Sequence, residues 1–370
     1  MTDSQIHWIS IVNALMIIIF LTGMFGMIML RNLHRDLVRY SSSDPDDPNQ
    51  EETGWKLVHG DVFRQPERFS LLATLVGTGV HIFVMAVATI VAALMGFLVP
   101  ANRGWLLSGV PVLYVLMGSV AGYTSTRLFT MFGAEGWRKN SVQTSLLYPG
   151  FNFVIFLILN AAIWSYGSSG AIPFFELFGL LFLWLFVSVP LVYIGSFIAF
   201  RKPPLSAPIK INRISRQIPT QPWYLSSPFS ILVGGVLPFG AVFIEAVYIM
   251  SSIWLHRFYF VFGFLFIVFA ILIVTCVEIS IVMCYFQLCS EDYKWWWRSF
   301  FTSGASALYL FLYSILYFFT KLDITKFVSG LLFFGYMFLI CIFFFVLTGS
   351  IGFIASLLFV RKIYSSVKLD

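Results

Sequence analysis

Nine apolar segments, each near the length that crosses a bilayer, follow one another at residues 9–30, 72–97, 105–123, 147–164, 177–200, 229–253, 258–286, 300–319 and 328–360. A helix rises about 1.5 Å per residue and the hydrocarbon core is about 30 Å thick, so about 20 apolar residues span it. In lipid every backbone polar group must find its partner inside the protein, and helices of this length do so within each segment. The expected architecture is an all-α polytopic membrane protein with nine transmembrane helices. Little of the 370-residue chain is left for a soluble domain.

Short loops rich in Lys and Arg stay on the cytosolic side of a membrane, so basic residues orient the segments. With the N-terminus outside, the inner loops carry six basic residues from Arg31 to Arg68, then Arg138 and Lys139, and five from Arg201 to Arg216. Lys294, Arg298, Arg361, Lys362 and Lys368 complete the inner set. The outer loops hold only Arg103, Arg257, Lys321 and Lys326. The imbalance predicts a lumenal N-terminus and a cytosolic C-terminus. It also accounts for the net charge of +6, so nucleic acid is not an expected partner and the bilayer is.

A chain that is 59% hydrophobic and 11% charged could not cover a water-soluble surface. Cys276, Cys284, Cys289 and Cys341 all fall in or at the inner ends of spans. Cys276 and Cys284, eight residues apart on one helix, are about 12 Å apart along its axis, beyond disulfide reach. Free thiols are expected, and no Asn-x-Ser/Thr sequon lies in an outer loop.

The inner loops have distinct characters. Arg31, Arg35 and Arg39 recur every four residues and share a helix face suited to anionic lipid. Residues 41–54 contain five carboxylates, no basic residue and two prolines, and read as a disordered acidic cytosolic linker. A metal-binding reading of that acidic run is weaker, because the glycine and spacing of a calcium loop are missing. Residues 201–228 contain six prolines, which predicts an extended, rigid segment lying across the inner faces of the spans. Trp295, Trp296 and Trp297, flanked by Lys294 and Arg298, read as an interfacial belt at headgroup level. A cation-π cage is the sharper alternative.

Inside the spans, Gly118 and Gly122 form a G-x-x-x-G, and Gly352 with Ser356 forms a small-x-x-x-small pair. Such spacing lets helix backbones approach closely. Charged groups in lipid are costly, so His81, Glu176, Glu245 and Glu278 are candidates for a polar path or for helix pairing. Arg127 shares the depth of Glu278 and could pair with it. Catalytic constellations are not found: every Asp lies outside the spans, and the five histidines include no H-E-x-x-H pair. No enzyme activity, metal or cofactor is expected.

The run Gly54-Trp55-Lys56-Leu57-Val58-His59-Gly60-Asp61-Val62-Phe63-Arg64 resembles a signature of the nonaspanins, the transmembrane 9 superfamily. Further runs resemble the same family: Pro100 to Gly104, Arg216 to Pro219, Gly234 to Gly240, Tyr285 to Tyr293 and Trp297 to Phe300. The likeness extends over essentially the whole chain. It implies Golgi and endosomal residence and a role in sorting and localising other membrane proteins, through binding of their glycine-rich transmembrane segments. Family members resemble one another in a large lumenal N-terminal domain. This chain starts just before its first span, so that domain is expected to be missing.

The ending Val367-Lys368-Leu369-Asp370 is similar to the K-x-D tail by which nonaspanins are held in the Golgi by coatomer. Residues 361–370 are therefore expected to form a cytosolic sorting tail, with Lys368 meeting an acidic groove and Asp370 meeting basic groups. The alternative to sorting is proton or solute translocation along His81, Glu245 and Glu278. No inverted repeat is evident, which disfavours common transporter plans.

Overall fold

The computed structural model describes residues 2–41, 54–95, 103–167, 170–254, 261–322 and 326–366. Most of the acidic linker, the Pro100 to Gly104 run apart from its last two residues, and the tail residues Lys368 and Asp370 lie outside them.

The described residues form helices and connecting loops, with no strand. Helix α1 is Thr2–Ser41, α2 Phe69–Leu94, α3 Arg103–Leu116, α4 Gly118–Met131, α5 Trp137–Ser165 and α6 Phe174–Leu183. Helix α7 is Val189–Arg201, α8 Ser227–Trp254, α9 Val261–Cys289, α10 Trp295–Gly304, α11 Ser306–Lys321 and α12 Phe327–Ser366. Helix overlies each of the nine apolar segments. Among the described residues, six helical stretches are long and apolar enough to cross a membrane, counting α6 with α7 and α10 with α11 as continuous rods.

The helices break where the backbone chemistry requires it. Pro190 cannot donate to the preceding turn, and the five residues before α7, Trp184–Ser188, widen into a π turn that absorbs the missing bond. Helices α3 and α4 part at Met117, whose φ/ψ of −83° and 4° leaves the helical region. Helix α8 runs through Pro238 without interruption.

Glycines decide how closely the rods pack. On α2, Gly77 faces α4, where an added Cβ would lie 2.6 Å from Cβ of Ser125. Gly79 faces α12, where one would fall on Ser350. Helix α2 is thus wedged between α4 and α12 by a single G-x-G. Burial separates centre from rim: the most apolar window of the α6–α7 rod is 11% buried, and that of the α10–α11 rod 50%. The outward side chains, such as Phe182, Phe186, Leu316 and Phe319, are large and apolar, as a lipid-facing surface requires.

Candidate functional site

Sequence runs that lie far apart converge at one end of the bundle, where α1, α4, α7, α9 and α12 finish and α2, α5, α8 and α10 begin. The 3-10 turn Gly54–Val58 and the loop after it enter this end as a plug, with Trp55, Val58, Val62 and Phe63 buried. Tyr364 of α12 donates its hydroxyl to the Trp55 carbonyl at 2.6 Å. The indole of Trp295 donates to the Val62 carbonyl at 3.0 Å. Asp61, only 2% exposed, is the polar centre of the plug. It accepts from Nε of Arg64 at 3.0 Å and from the backbone N–H of Arg216 at 3.2 Å.

The proline-rich segment lies over this plug. Apart from the short 3-10 turn Trp223–Leu225 it is not helical, and most of it is exposed. Its anchors are the Asn212 N–H on the Gly60 carbonyl, the Arg216–Glu291 ion pair at 3.1 Å, and the Gln221 amide donating to the Ser290 carbonyl. Beside it, Arg298 of α10 is 7% exposed and holds three elements together. It donates to Ser230 Oγ and to the Leu225 carbonyl, both at 2.8 Å, and it faces Asp292 at 3.4 Å. Asp292 also accepts from the Gln287 amide. Helix α1 joins through Asp36, which accepts the Tyr285 hydroxyl at 2.6 Å.

Two expectations are corrected here. Trp295 and Trp296 do not form an interfacial belt: they are 0% and 3% exposed and stack on each other at 4.1 Å inside the protein. Only Trp297 is partly open, and its indole is spent on the Glu67 carbonyl. Nor do Arg127 and Glu278 pair. Arg127 turns to the loop after α7 and donates to the Pro203 carbonyl at 2.6 Å. Both carboxylate oxygens of Glu278 are buried and lack a hydrogen-bond partner among the described residues. Shared depth does not imply a shared side of the bundle.

The remaining groups are dispersed. His81 of α2 donates from Nε2 to the Tyr114 carbonyl at 2.7 Å, just before the α3–α4 break, and its ring lies against that of Tyr114 at 4.3 Å. Glu176 stands exposed in the first turn of α6. The Glu245 side chain lies outside the described residues. A cavity of about 470 Å³ between α8, α9, α11 and α12 is walled by apolar side chains including Phe239, Val242, Val268, Leu272 and Phe344. Neither His81 nor Glu278 lines it. All four cysteines are free. Among the described residues no three His, Cys, Asp or Glu side chains cluster to hold a metal.

The packing glycines are occupied from within the chain. A Cβ on Gly122 would fall on the Val192 carbonyl of α7, and one on Gly195 would fall on the Ser119 carbonyl of α4. Gly118 faces Ser188 at 3.3 Å, and Gly352 meets Ser303 and Ser280. By contrast Gly23 and Gly26 of α1 face open space.

Sequence reading missed Asp61, Asp292, Arg298 and the Tyr364–Trp55 contact. The first three lie in or beside the runs that carry the family likeness, and that was the available signal.

The endomembrane protein 70 family model matches residues 1–327. Transmembrane 9 superfamily member 9 of Arabidopsis thaliana is 58% identical over the 370 residues, which cover 58% of its length. Member 2 of Mus musculus is 50% identical, with 56% of its length covered, and member 4 of Homo sapiens is 48% identical, with 58% covered. The chain thus spans somewhat over half the length of these relatives. No solved structure matches. Identity of this degree along the entire chain, together with the convergence of the shared runs in one buried assembly, means that the chain belongs to the endomembrane protein 70 family, the transmembrane 9 superfamily.

Proposed function

We propose that this chain is the nine-span membrane part of a sorting factor, with the N-terminus lumenal and the C-terminus cytosolic, which binds transmembrane segments of other membrane proteins in Golgi and endosomal membranes. The observation that carries this reading is the apolar cavity of about 470 Å³ among α8, α9, α11 and α12. Its lining offers side-chain packing and almost no polar groups, which suits apolar side chains of a membrane segment better than a charged solute. Transport is not favoured. A solute or proton path needs consecutive polar groups across the membrane, whereas His81 is closed off by Tyr114 and the cavity is apolar.

Client contact at Gly118 and Gly122 is not part of the proposal, because α7 fills that face. Relatives are named as superfamily members and not as enzymes, and no catalytic role is proposed.

A photo-crosslinking side chain placed at Phe239, in the cavity wall, should capture membrane proteins in cells. The same group at Phe186, 65% exposed on α7's approach, should capture few. Equal capture at both positions would remove the cavity from the proposal. For the tail, replacing Lys368 and Asp370 with Ala should move the protein from the Golgi to later compartments if coatomer holds it there. Unchanged location would remove coatomer from the account.

A further inference from the structure

A second cavity, about 460 Å³, opens at the end of the bundle where α2 begins and α4 finishes. Its walls are Phe63, Arg64 and Gln65 from the plug, Met131 and Phe132 from the end of α4, and Ile211 from the proline-rich segment. The size falls within the range of about 300–1,000 Å³ common to ligand sites. The lining is divided in kind: one guanidinium and one amide stand with four apolar side chains, and no carboxylate lines it. A wholly apolar slot would suit an acyl chain alone, and a wholly polar one a soluble solute. This mixture suits an amphiphile with an anionic head.

The guanidinium is arranged in advance. Arg64 is fixed by Asp61, through Nε at 3.0 Å, and by donation from Nη2 to the Asn212 carbonyl at 2.9 Å. Its Nη1 has no partner among the described residues, so one donor of a side chain already held in place is left at the cavity, and the exposed Gln65 amide adds donors that must be ordered on binding. Asp61 offsets the charge of Arg64, so long-range attraction must come from elsewhere. Arg68, Lys210 and Arg213 are exposed and lie within three residues of lining positions, against two exposed acids at the same range, Glu67 and Glu135. The segment 201–222 contains five basic residues and no acidic one. The local field therefore favours an anion.

We propose that this cavity binds an anionic phospholipid, its phosphate on Arg64 and Gln65 and its glycerol and upper acyl carbons against Met131, Phe132 and Ile211. The site sits where helices leave the apolar part of the bundle, which is headgroup depth for a chain of this class. It is independent of client binding in the apolar cavity.

The test uses the full chain, purified in detergent and stripped of lipid, with retention measured by native mass spectrometry. The probes are a short-chain phosphatidylinositol phosphate, short-chain phosphatidylcholine and free inositol bisphosphate. The anionic lipid should bind at least about tenfold more tightly than phosphatidylcholine, as expected for a charge-assisted contact. Arg64→Gln also removes the Asp61 pair and could unfold the plug, so the informative variants are Gln65→Glu and Ile211→Glu, both at exposed positions. Each should weaken anionic-lipid binding by about tenfold or more with an unchanged melting temperature, because each sets a like charge beside the phosphate. Equal retention of phosphatidylcholine, or unaltered binding by both variants, would overturn the proposal. Free inositol bisphosphate binding as tightly as the lipid would overturn its lipid half and leave a site for a soluble phosphate.

Discussion

Tyr364, near the end of α12, donates its hydroxyl to the carbonyl of Trp55 at 2.6 Å, and the two rings meet edge to face at 5.5 Å. A residue close to the end of the chain thereby locks the plug formed by its first long loop. The rest of that plug is held by Trp295, at the start of α10, and by Arg216 of the proline-rich segment. The closed end of the bundle is therefore one cooperative unit, built from contacts between residues more than 150 positions apart.

Replacing Tyr364 with Phe keeps the edge-to-face packing and removes only the hydroxyl. The Trp55 carbonyl, buried with its residue at 1% exposure, loses that donor. A buried hydrogen bond contributes about 0.5–1.5 kcal/mol net, so the variant should melt earlier in detergent. Tyr224→Phe, at a position 53% exposed, should melt as the parent does. Equal melting of all three proteins would mean that the plug is not held by this bond.

Gly122→Ala should separate α4 from α7. The new methyl would fall on the Val192 carbonyl, a backbone atom that cannot turn aside as a side-chain tip can. Overpacking of this kind costs about 1–3 kcal/mol, and a loss at or above the upper end is expected, read from thermal unfolding or from yield of folded protein. Gly23→Ala is the matched control. Nothing lies within 4 Å of that site, and alanine is the better helix former by up to about 1 kcal/mol.

Arg298→Lys should be nearly as damaging as removal of the charge. The guanidinium reaches Ser230 Oγ, the Leu225 carbonyl and Asp292 from one planar fork, which an ammonium cannot reproduce. Breaking a buried pair leaves Asp292 short of a partner and costs about 3–5 kcal/mol. The expected readout is loss of the folded, monodisperse protein on size exclusion, with Lys294→Arg, at an exposed neighbour, behaving normally.

Much of the architecture was legible in the residue order, and the reasons divide cleanly. Long apolar runs specify helices because the alternative leaves backbone groups unbonded in lipid, and helix overlies each predicted segment. The close approach at Gly122 was also legible, since G-x-x-x-G spacing implies a tight neighbour. That neighbour's identity was not, because only the fold brings Gly195 and Ser196 opposite. The Trp295-Trp296 pair shows the limit in another form. Aromatic residues between Lys294 and Arg298 read alike whether they meet headgroups or a protein plug, and burial of Arg298 settles the matter. Depth along a helix can be counted from sequence, whereas the direction a side chain faces depends on partners elsewhere, which is why Arg127 and Glu278 appeared compatible.

Glu278→Met separates a structural burden from a working group. Both oxygens of this α9 carboxylate are buried without a hydrogen-bond partner among the described residues, so the native side chain weakens the bundle. An apolar side chain of similar length removes that cost, which is about 1–3 kcal/mol for an unsatisfied buried group. The variant should therefore unfold at higher temperature than the parent in reconstituted bilayers, with Glu278→Gln falling between them because its amide still lacks partners. A charged side chain within a span is a candidate for function as well as a stability burden, so crosslinking at Phe239 should be compared in the same variants. If Glu278→Met instead lowers the melting temperature, the carboxylate gains a partner in the bilayer, and Glu278 is then a site of helix pairing.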